Sequence, residues 1–245
     1  MDKRKETMMA KQVKGRCRCC SKEYARAGML KHLSVCAERG AEADKETGRS
    51  TGYFELLITA KYRKNYWLVI EMEETEKLKD LDQFIRDIWV ECCGHLSSFN
   101  IDGQRYDLEA FSDSFWDLRS ENMDIQLKKV LRVGLQFEYE YDFGSPTELI
   151  ISVVDYRKGK QKKKPITILS RNNPPEILCS ICGENNANWV SPEGFYDGTP
   201  YWCEECVSAE EAEDGDYPEF LLPVCNSPRM GVCGYGRSSD YEEES

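Results

Sequence analysis

Twelve cysteines and two histidines stand in a chain of 245 residues, and their spacing carries most of the legible chemistry. Cys179 and Cys182 form one Cys-x-x-Cys pair; after twenty intervening residues Cys203 and Cys206 form a second. Two such pairs on facing turns can place four thiolates about 2.3 Å from one tetrahedral zinc, the arrangement of a zinc ribbon. Gly183 permits the tight turn that aims backbone amides at the sulfurs. Trp189, Tyr196 and Trp202 are expected to supply the apolar packing that so small a segment lacks. A redox role is the rival reading, but redox pairs rarely come matched at ribbon spacing. An iron–sulfur cluster would take the same four ligands. Four thiolates leave no open position for a catalytic water, so a structural ion is expected.

The second constellation is Cys17-Arg-Cys-Cys20, followed by His32 after eleven intervening residues and Cys36 after three more. His32 and Cys36, four apart, share one helical face and can both reach an ion held by a preceding knuckle. The pattern resembles the Cys-Cys-His-Cys form of the short zinc finger, although its knuckle-to-helix spacing is one residue short and Cys19 competes with Cys20. The expected ligands are Cys17, Cys20, His32 and Cys36, with Tyr24, Met29 and Leu33 as a small core. Two zinc ions are therefore expected in all. Of the remaining candidates, His95 in Cys92-Cys93-Gly94-His95 reads as a helix C-terminal cap or as a ligand with the neighbouring thiols. Cys225 and Cys233 read as packing residues; a third metal site would need Cys92, Cys93 or another chain to complete it.

Charge is distributed unevenly. The formal net charge is −11, yet residues 1–35 carry ten Lys or Arg against three acids, and 204–219 hold eight carboxylates and no Lys or Arg. The finger helix lies among Lys11, Lys14, Arg16, Arg18, Lys22, Arg26 and Lys31, cations able to neutralise phosphates in a salt-sensitive manner. One finger reads only about three base pairs, so specific binding by it alone would be weak. A second basic cluster, Arg157, Lys158, Lys160, Lys162, Lys163 and Lys164 around Gly159, reads as an exposed hairpin loop, either a solvated turn or a phosphate contact. No Gly-x-Ser-x-Gly, His-Glu-x-x-His or phosphate-cradling glycine loop appears, so no catalytic set is found.

Hydrophobic residues make up 40% of the chain and aromatics 11%, enough to build a core. No run of roughly 18 apolar residues exists, and no signal-peptide pattern follows the N-terminal Met-Asp-Lys-Arg-Lys. A soluble cytoplasmic protein with reduced thiols and no membrane partner is expected.

The elements that must position these residues follow from periodicity. Leu78, Leu81, Phe84, Ile85, Ile88, Trp89 and Cys92 recur at helical spacing and predict one amphipathic helix over 78–92. Strands are expected at 53–60, 66–72, 104–109, 133–143, 148–155 and 166–169, with Leu135, Phe137, Tyr139, Tyr141 and Phe143 alternating against polar residues. Pro174-Pro175 should close the sheet. The tail around Asn226, Ser227, Pro228, Arg229 and Gly231 reads as a defined turn, anchored by Tyr235, that packs on the ribbon.

The strand Phe137-Glu-Tyr-Glu-Tyr-Asp-Phe-Gly144, the helix ending in Ile88-Trp89, and His95-Leu96-x-x-Phe99-x-Ile101-x-Gly103-x-x-Tyr106 together resemble the plasmid pRiA4b open-reading-frame-three-like family. That family is also described as the TnpR-like passenger protein of an insertion element. The resemblance covers roughly residues 52–170. The flanking cysteine segments look like those appended in prokaryotic, particularly archaeal, members. Ser145, Thr147 and Leu149 stand where many members carry Asp, Trp and His, so any site those residues form is lost here. The resemblance implies an α+β fold and brings no settled activity; its link to mobile elements points toward DNA.

The resulting expectation is an α+β protein with a small, mostly antiparallel sheet packed on one main amphipathic helix, flanked by two small zinc modules. Its segments would be a basic arm (1–15), a finger (16–38), a linker (39–51), the central domain (52–173), a ribbon with packed tail (174–236) and an acidic tail (237–245). The function expected is non-enzymatic binding of nucleic acid or of a nucleic-acid-bound protein. A protein–protein adaptor using the ribbon, and an enzyme of unknown reaction in the central domain, are the alternatives.

Overall fold

The computed structural model describes residues 13–43, 47–110, 112–113, 118–213 and 220–236. The basic arm up to residue 12, Lys11 included, and the acidic tail 237–245 lie outside the described residues, as do residues 214–219 of the acidic stretch.

The chain begins with two short strands, β1 (Lys14–Cys17) and β2 (Glu23–Ala25), then helices α1 (Arg26–Leu33) and α2 (Ala37–Ala43). Long strands β3 (Ser50–Ala60) and β4 (Trp67–Glu73) lead into α3 (Leu78–Ile85), which continues as a wider π turn over Arg86–Val90. Four strands follow, β5 (Ser97–Ile101), β6 (Gln104–Asp107), β7 (Ser112–Asp113) and β8 (Leu118–Asn122), then the one-turn α4 (Leu127–Val130). β9 (Gln136–Tyr141), β10 (Thr147–Lys160) and β11 (Ile166–Asn172) complete the sheet. The C-terminal part holds β12 (Trp189–Val190), α5 (Gly194–Asp197), β13 (Tyr201–Trp202), α6 (Glu204–Glu213) and β14 (Leu222–Pro223).

The class is α+β, but the sheet is large rather than small. Eleven strands run in the order β2-β1-β11-β4-β3-β10-β9-β5-β6-β8-β7. The β6–β8 pairing is parallel and the others antiparallel. The excess comes from two places: β1 and β2 of the finger join the sheet, and residues 97–122 supply four strands where one was expected. Nor is there a single main helix, since α1, α2 and α6 accompany α3.

The α3 helix forms where its periodicity places it, with the Asp80 carboxylate accepting from the Lys77 amide at 2.8 Å to cap its start. Leu78, Leu81, Phe84, Ile85, Ile88 and Trp89 are buried against Leu56, Ile58, Leu68 and Ile70. The opposite face of the same strands is not wet. Trp67, Val69 and Leu169 pack with Cys17, Met29, Leu33 and Cys36 of the finger, so β4 is buried along its whole length. Gly15 is required by this closeness, because a Cβ there would collide with the Arg171 carbonyl and the Trp67 ring. A bulge between Ile168 and Ser170 gives Leu169 an extra position and turns it into the finger's core.

Part of the expected linker 39–51 is the end of α2, and it is tied down. Glu71, 1% exposed on the finger side of β4, accepts from Arg39 at 3.0 Å, Arg157 at 2.6 Å and Lys162 at 2.6 Å, while Arg39 also pairs with Glu55 at 2.7 Å. Burial opposes ionisation of Glu71, yet the hydrogen bonds and charges of Arg157 and Lys162 outweigh it and hold the carboxyl down to about 2. A depressed folded-state value makes the stabilisation complete above the ordinary 4.5 and lost as pH falls toward 2. Acid titration read by hydrogen exchange is therefore expected to loosen the finger-side strands across that window. Glu71→Gln should abolish this acid step and cost about 3 kcal/mol at neutral pH, by leaving the half-buried Arg39, Arg157 and Lys162 without their shared carboxylate. An unchanged acid profile in the variant would count against the assignment.

The basic segment 157–164 is also placed differently from expectation. β10 runs through Lys160, and β10 and β11 are separated in the sheet by β3 and β4, so the connection crosses between non-neighbouring strands instead of closing a hairpin. Among the described residues, no helix is long and apolar enough to cross a membrane.

Candidate metal centres

At the finger, the β1–β2 turn forms a knuckle: the Ser21 amide donates to the Cys17 carbonyl at 2.8 Å, and Ser21 adopts a left-handed φ of 60°. The Arg18 amide donates to the Leu169 carbonyl at 2.9 Å, fixing that knuckle on the sheet. The α1 helix carries His32 toward it, and Cys36 follows the helix end. Donor atoms of Cys17, Cys20, His32 and Cys36 all lie within 4.8 Å of one another. Cys17 and Cys36 sulfurs are 4.0 Å apart, and Cys20 Sγ is 3.1 Å from His32 Nε2. Bonds of about 2.3 Å in a tetrahedron imply sulfur separations of roughly 3.8 Å, and a disulfide would need about 2.05 Å, so the spacing suits an ion and not a covalent bridge. Tyr24 stacks on the His32 ring at 4.5 Å and fixes its plane. Cys19 is not among these close donors and lines the neighbouring cavity instead, and burial together with Glu42 pushes its thiol up to about 12.

In the C-terminal part, Cys179 and Cys182 flank a turn closed by the Gly183 amide on the Cys179 carbonyl at 3.0 Å, with Gly183 at φ 71°. Cys203 and Cys206 lie at the start of α6. The four sulfurs fall within 4.8 Å of one another, with Cys182 and Cys203 at 3.9 Å. Burial favours the neutral thiol at Cys179, but amides of Cys182, Cys203 and Ile181 aimed at its sulfur outweigh that and hold it down to about 6. Burial and the crowded neighbouring thiols push Cys206 up to about 12. Four such groups cannot ionise together without a cation to offset them. Trp202 is buried and Trp189 half-buried as expected; Tyr196 is 95% exposed and supplies no packing.

A third group comes together from residues for which the sequence leaves a ligand role open beside helix capping and packing. Donor atoms of Cys92, Cys93, His95 and Cys233 also lie within 4.8 Å of one another. His95 is thus not simply a helix cap: its Nε2 is 3.0 Å from Cys93 Sγ and 3.2 Å from Cys233 Sγ. The one local signal was Cys-Cys-Gly-His itself, where Gly94 at φ 80° turns the chain back. Cys233 arrives because the tail docks on the central domain as well as on the ribbon. Met230 packs with Val190 and Leu222, while Ser227 Oγ donates to the Trp89 carbonyl at 2.6 Å and Asn172 Nδ2 to Asn226 Oδ1 at 2.8 Å.

The predicted basic residues divide. Lys14, Arg16, Arg18, Lys22 and Lys31 are exposed on the finger and Arg26 is half-buried, with Arg16 3.7 Å from Glu23. Arg157 and Lys162 are engaged with Glu71, and Lys158 lies 3.4 Å from Glu74; Lys160, Lys163 and Lys164 are exposed. Arg18, Arg39, Arg157 and Lys162 nevertheless line one cavity of about 190 Å³ with Cys19, Glu42 and Glu71, so the two basic segments meet in space.

Among known families, the one described as plasmid pRiA4b ORF-3-like protein matches residues 41–185. No curated protein matches the chain. A solved structure of a protein of unknown function from Methanosarcina mazei Go1 is similar at 16% identity and a TM-score of 0.43, covering 49% of this chain and 69% of that one.

Proposed function

This chain belongs to the plasmid pRiA4b ORF-3-like family, and we propose that it is a non-enzymatic, zinc-stabilised binding protein whose basic finger and 157–164 segment together engage nucleic acid or a nucleic-acid-bound protein. The observation that carries this reading is the meeting of the two basic segments at one cavity, Arg18 from the finger beside Arg157 and Lys162. Exposed Lys22, Lys31 and Lys163 extend the same segments into solvent. Phosphate contacts need clustered cations, not a favourable average charge, and here the cations share the cavity with Glu42 and Glu71. Zinc is the ion that best suits one set of three cysteines with a histidine and one set of four cysteines, each at near-tetrahedral spacing; it would lock each fold without offering an open coordination position.

Anisotropy titrations of labelled single- and double-stranded oligonucleotides across a salt series test the reading. Binding should weaken steeply with salt. Joint replacement of Lys22, Lys31 and Lys163 by Gln should lower the logarithmic salt slope by about one per cation removed. Binding that ignores salt, or a slope untouched by the three replacements, would sink it.

The adaptor reading draws on one specific feature. Leu178, Ile181, Phe195, Tyr196 and Phe220 of the ribbon segment are exposed apolar or aromatic side chains, of the kind found at protein interfaces. A partner retained after nuclease treatment would favour it.

A further inference from the structure

We infer that Cys92, Cys93, His95 and Cys233 form a third metal site, taking one thiophilic divalent ion of the zinc class and clamping the C-terminal segment onto the central domain. The donor set is three thiols and one imidazole, and its spacing matches the other two clusters. Cys92 and Cys93 sulfurs are 3.6 Å apart, and Cys93 and Cys233 sulfurs 3.7 Å, close to the separation of roughly 3.8 Å that tetrahedral thiolates require.

The backbone repeats a device seen twice already. A left-handed residue directly follows a knuckle cysteine in each cluster: Ser21 after Cys20, Gly183 after Cys182 and Gly94 after Cys93. Cys233 is itself left-handed at φ 51°, a conformation that costs a non-glycine residue about 1 kcal/mol or more, and Gly234 continues the turn at φ 72°. Such strain persists where the surroundings over-determine it.

The surroundings here are built around the ligands. Tyr141 Oη accepts from the Cys92 and His95 amides at 3.4 and 3.3 Å and donates to Glu91 Oε1 at 2.9 Å, while that same carboxylate oxygen accepts from the Gly94 amide at 2.6 Å. Arg86, held by buried Asp82 at 2.8 Å, donates to the His95 carbonyl at 2.8 Å. The loop is thus pinned by partners that do not themselves supply ligands, as metal sites are. The wholly buried Arg229 guanidinium, which also pairs with Asp142 at 2.6 Å, points Nη2 at Cys92 Sγ from 3.4 Å and places a cation beside the thiolates, while Asp142 Oδ2 lies 3.5 Å from His95 Nε2. Binding releases the three thiol protons to solvent and changes no oxidation state.

Native mass spectrometry of the full chain, purified under reducing conditions with zinc supplied, counts the ions. One ion fewer in Cys233→Ser than in the unaltered chain is the expected result, and the difference does not depend on how the other two clusters are filled. Equal counts overturn the inference, as does a Cys93–Cys233 disulfide in place of the ion. If Cys233→Ser folds poorly, alkylation of the unaltered protein decides: Cys93 and Cys233, both exposed, should react at least tenfold more slowly with metal present than after chelation. Equal rates overturn the site.

Discussion

If Cys17, Cys20, His32 and Cys36 hold an ion, chelating it is expected to open not only residues 16–38 but also the strands beneath them. Ion binding at a Cys/His site contributes on the order of 10 kcal/mol to folding at neutral pH. In this protein the finger's core is shared: Met29, Leu33, Cys17 and Cys36 cover Trp67, Val69 and Leu169. Loss of the ion frees α1 from the knuckle and bares that face of β4 and β11. Hydrogen exchange read by mass spectrometry should show β1, β11 and the β4 amides paired with β11 losing protection together, while α3, β3 and β10 stay protected by their own core. Loosening confined to residues 16–38, with β4 and β11 unchanged, would mean that the finger is an independent appendage.

Replacing Arg229 by Met should destabilise the protein by about 3–5 kcal/mol, the range for removing one partner of a buried ion pair. Arg229 is 0% exposed and donates to Asp142 at 2.6 Å, to the Ser145 carbonyl at 3.0 Å and to Thr147 Oγ1 at 3.0 Å. Its guanidinium also lies 4.8 Å from the Tyr141 ring centroid. Without it the Asp142 carboxylate, itself nearly buried, keeps only the His95 ring at 3.5 Å in place of a guanidinium. Burial alone would raise the Asp142 pKa, but Arg229 and the amides of Ser145 and Gly144 hold it below the usual range. The pair's contribution is therefore present above the ordinary carboxylate value and fades as pH falls through the lowered one. Denaturant unfolding should show a lower midpoint in Arg229→Met and partial recovery in the double change with Asp142→Asn; a single variant within about 1 kcal/mol of the unaltered protein would refute the account.

Much of this architecture is legible in the sequence, for physical reasons that also explain the rest. The α3 helix is visible because Leu78, Leu81 and Ile85 keep a helical period that Ile88 and Trp89 carry into the π turn, whereas Cys92, expected on the same helix over 78–92, lies beyond its end at Val90. β3, β4, β6, β9, β10 and β11 overlap the expected strands, because half-buried or fully buried strands need apolar runs. β5 escapes notice because only Phe99 and Ile101 announce it among Ser97, Ser98 and Asn100. β1 escapes because its inward residues are Gly15 and Cys17, neither of which reads as apolar alternation. The hairpin expected at 157–164 fails on topology: residues adjacent in sequence belong to strands separated in the sheet, and local composition carries no information about that pairing. The two predicted ligand sets converge because each is encoded within a short segment. Cys233 and His95 are separated by 138 positions, and only the docking of the tail brings them together.

The finger's two strands have one more consequence. The sheet's outermost strand on that side is β2, only three residues long, with Glu23 facing Arg16 across the β1–β2 pair. A strand so short and so charged offers a poor template to a neighbouring chain. Remove it together with β1, and the seven-residue β11 becomes a bare margin of unpaired amides and carbonyls. An ion closing the finger would thus also decide whether the sheet ends inside one molecule or can continue into the next, which would tie metal supply to the protein's resistance to aggregation.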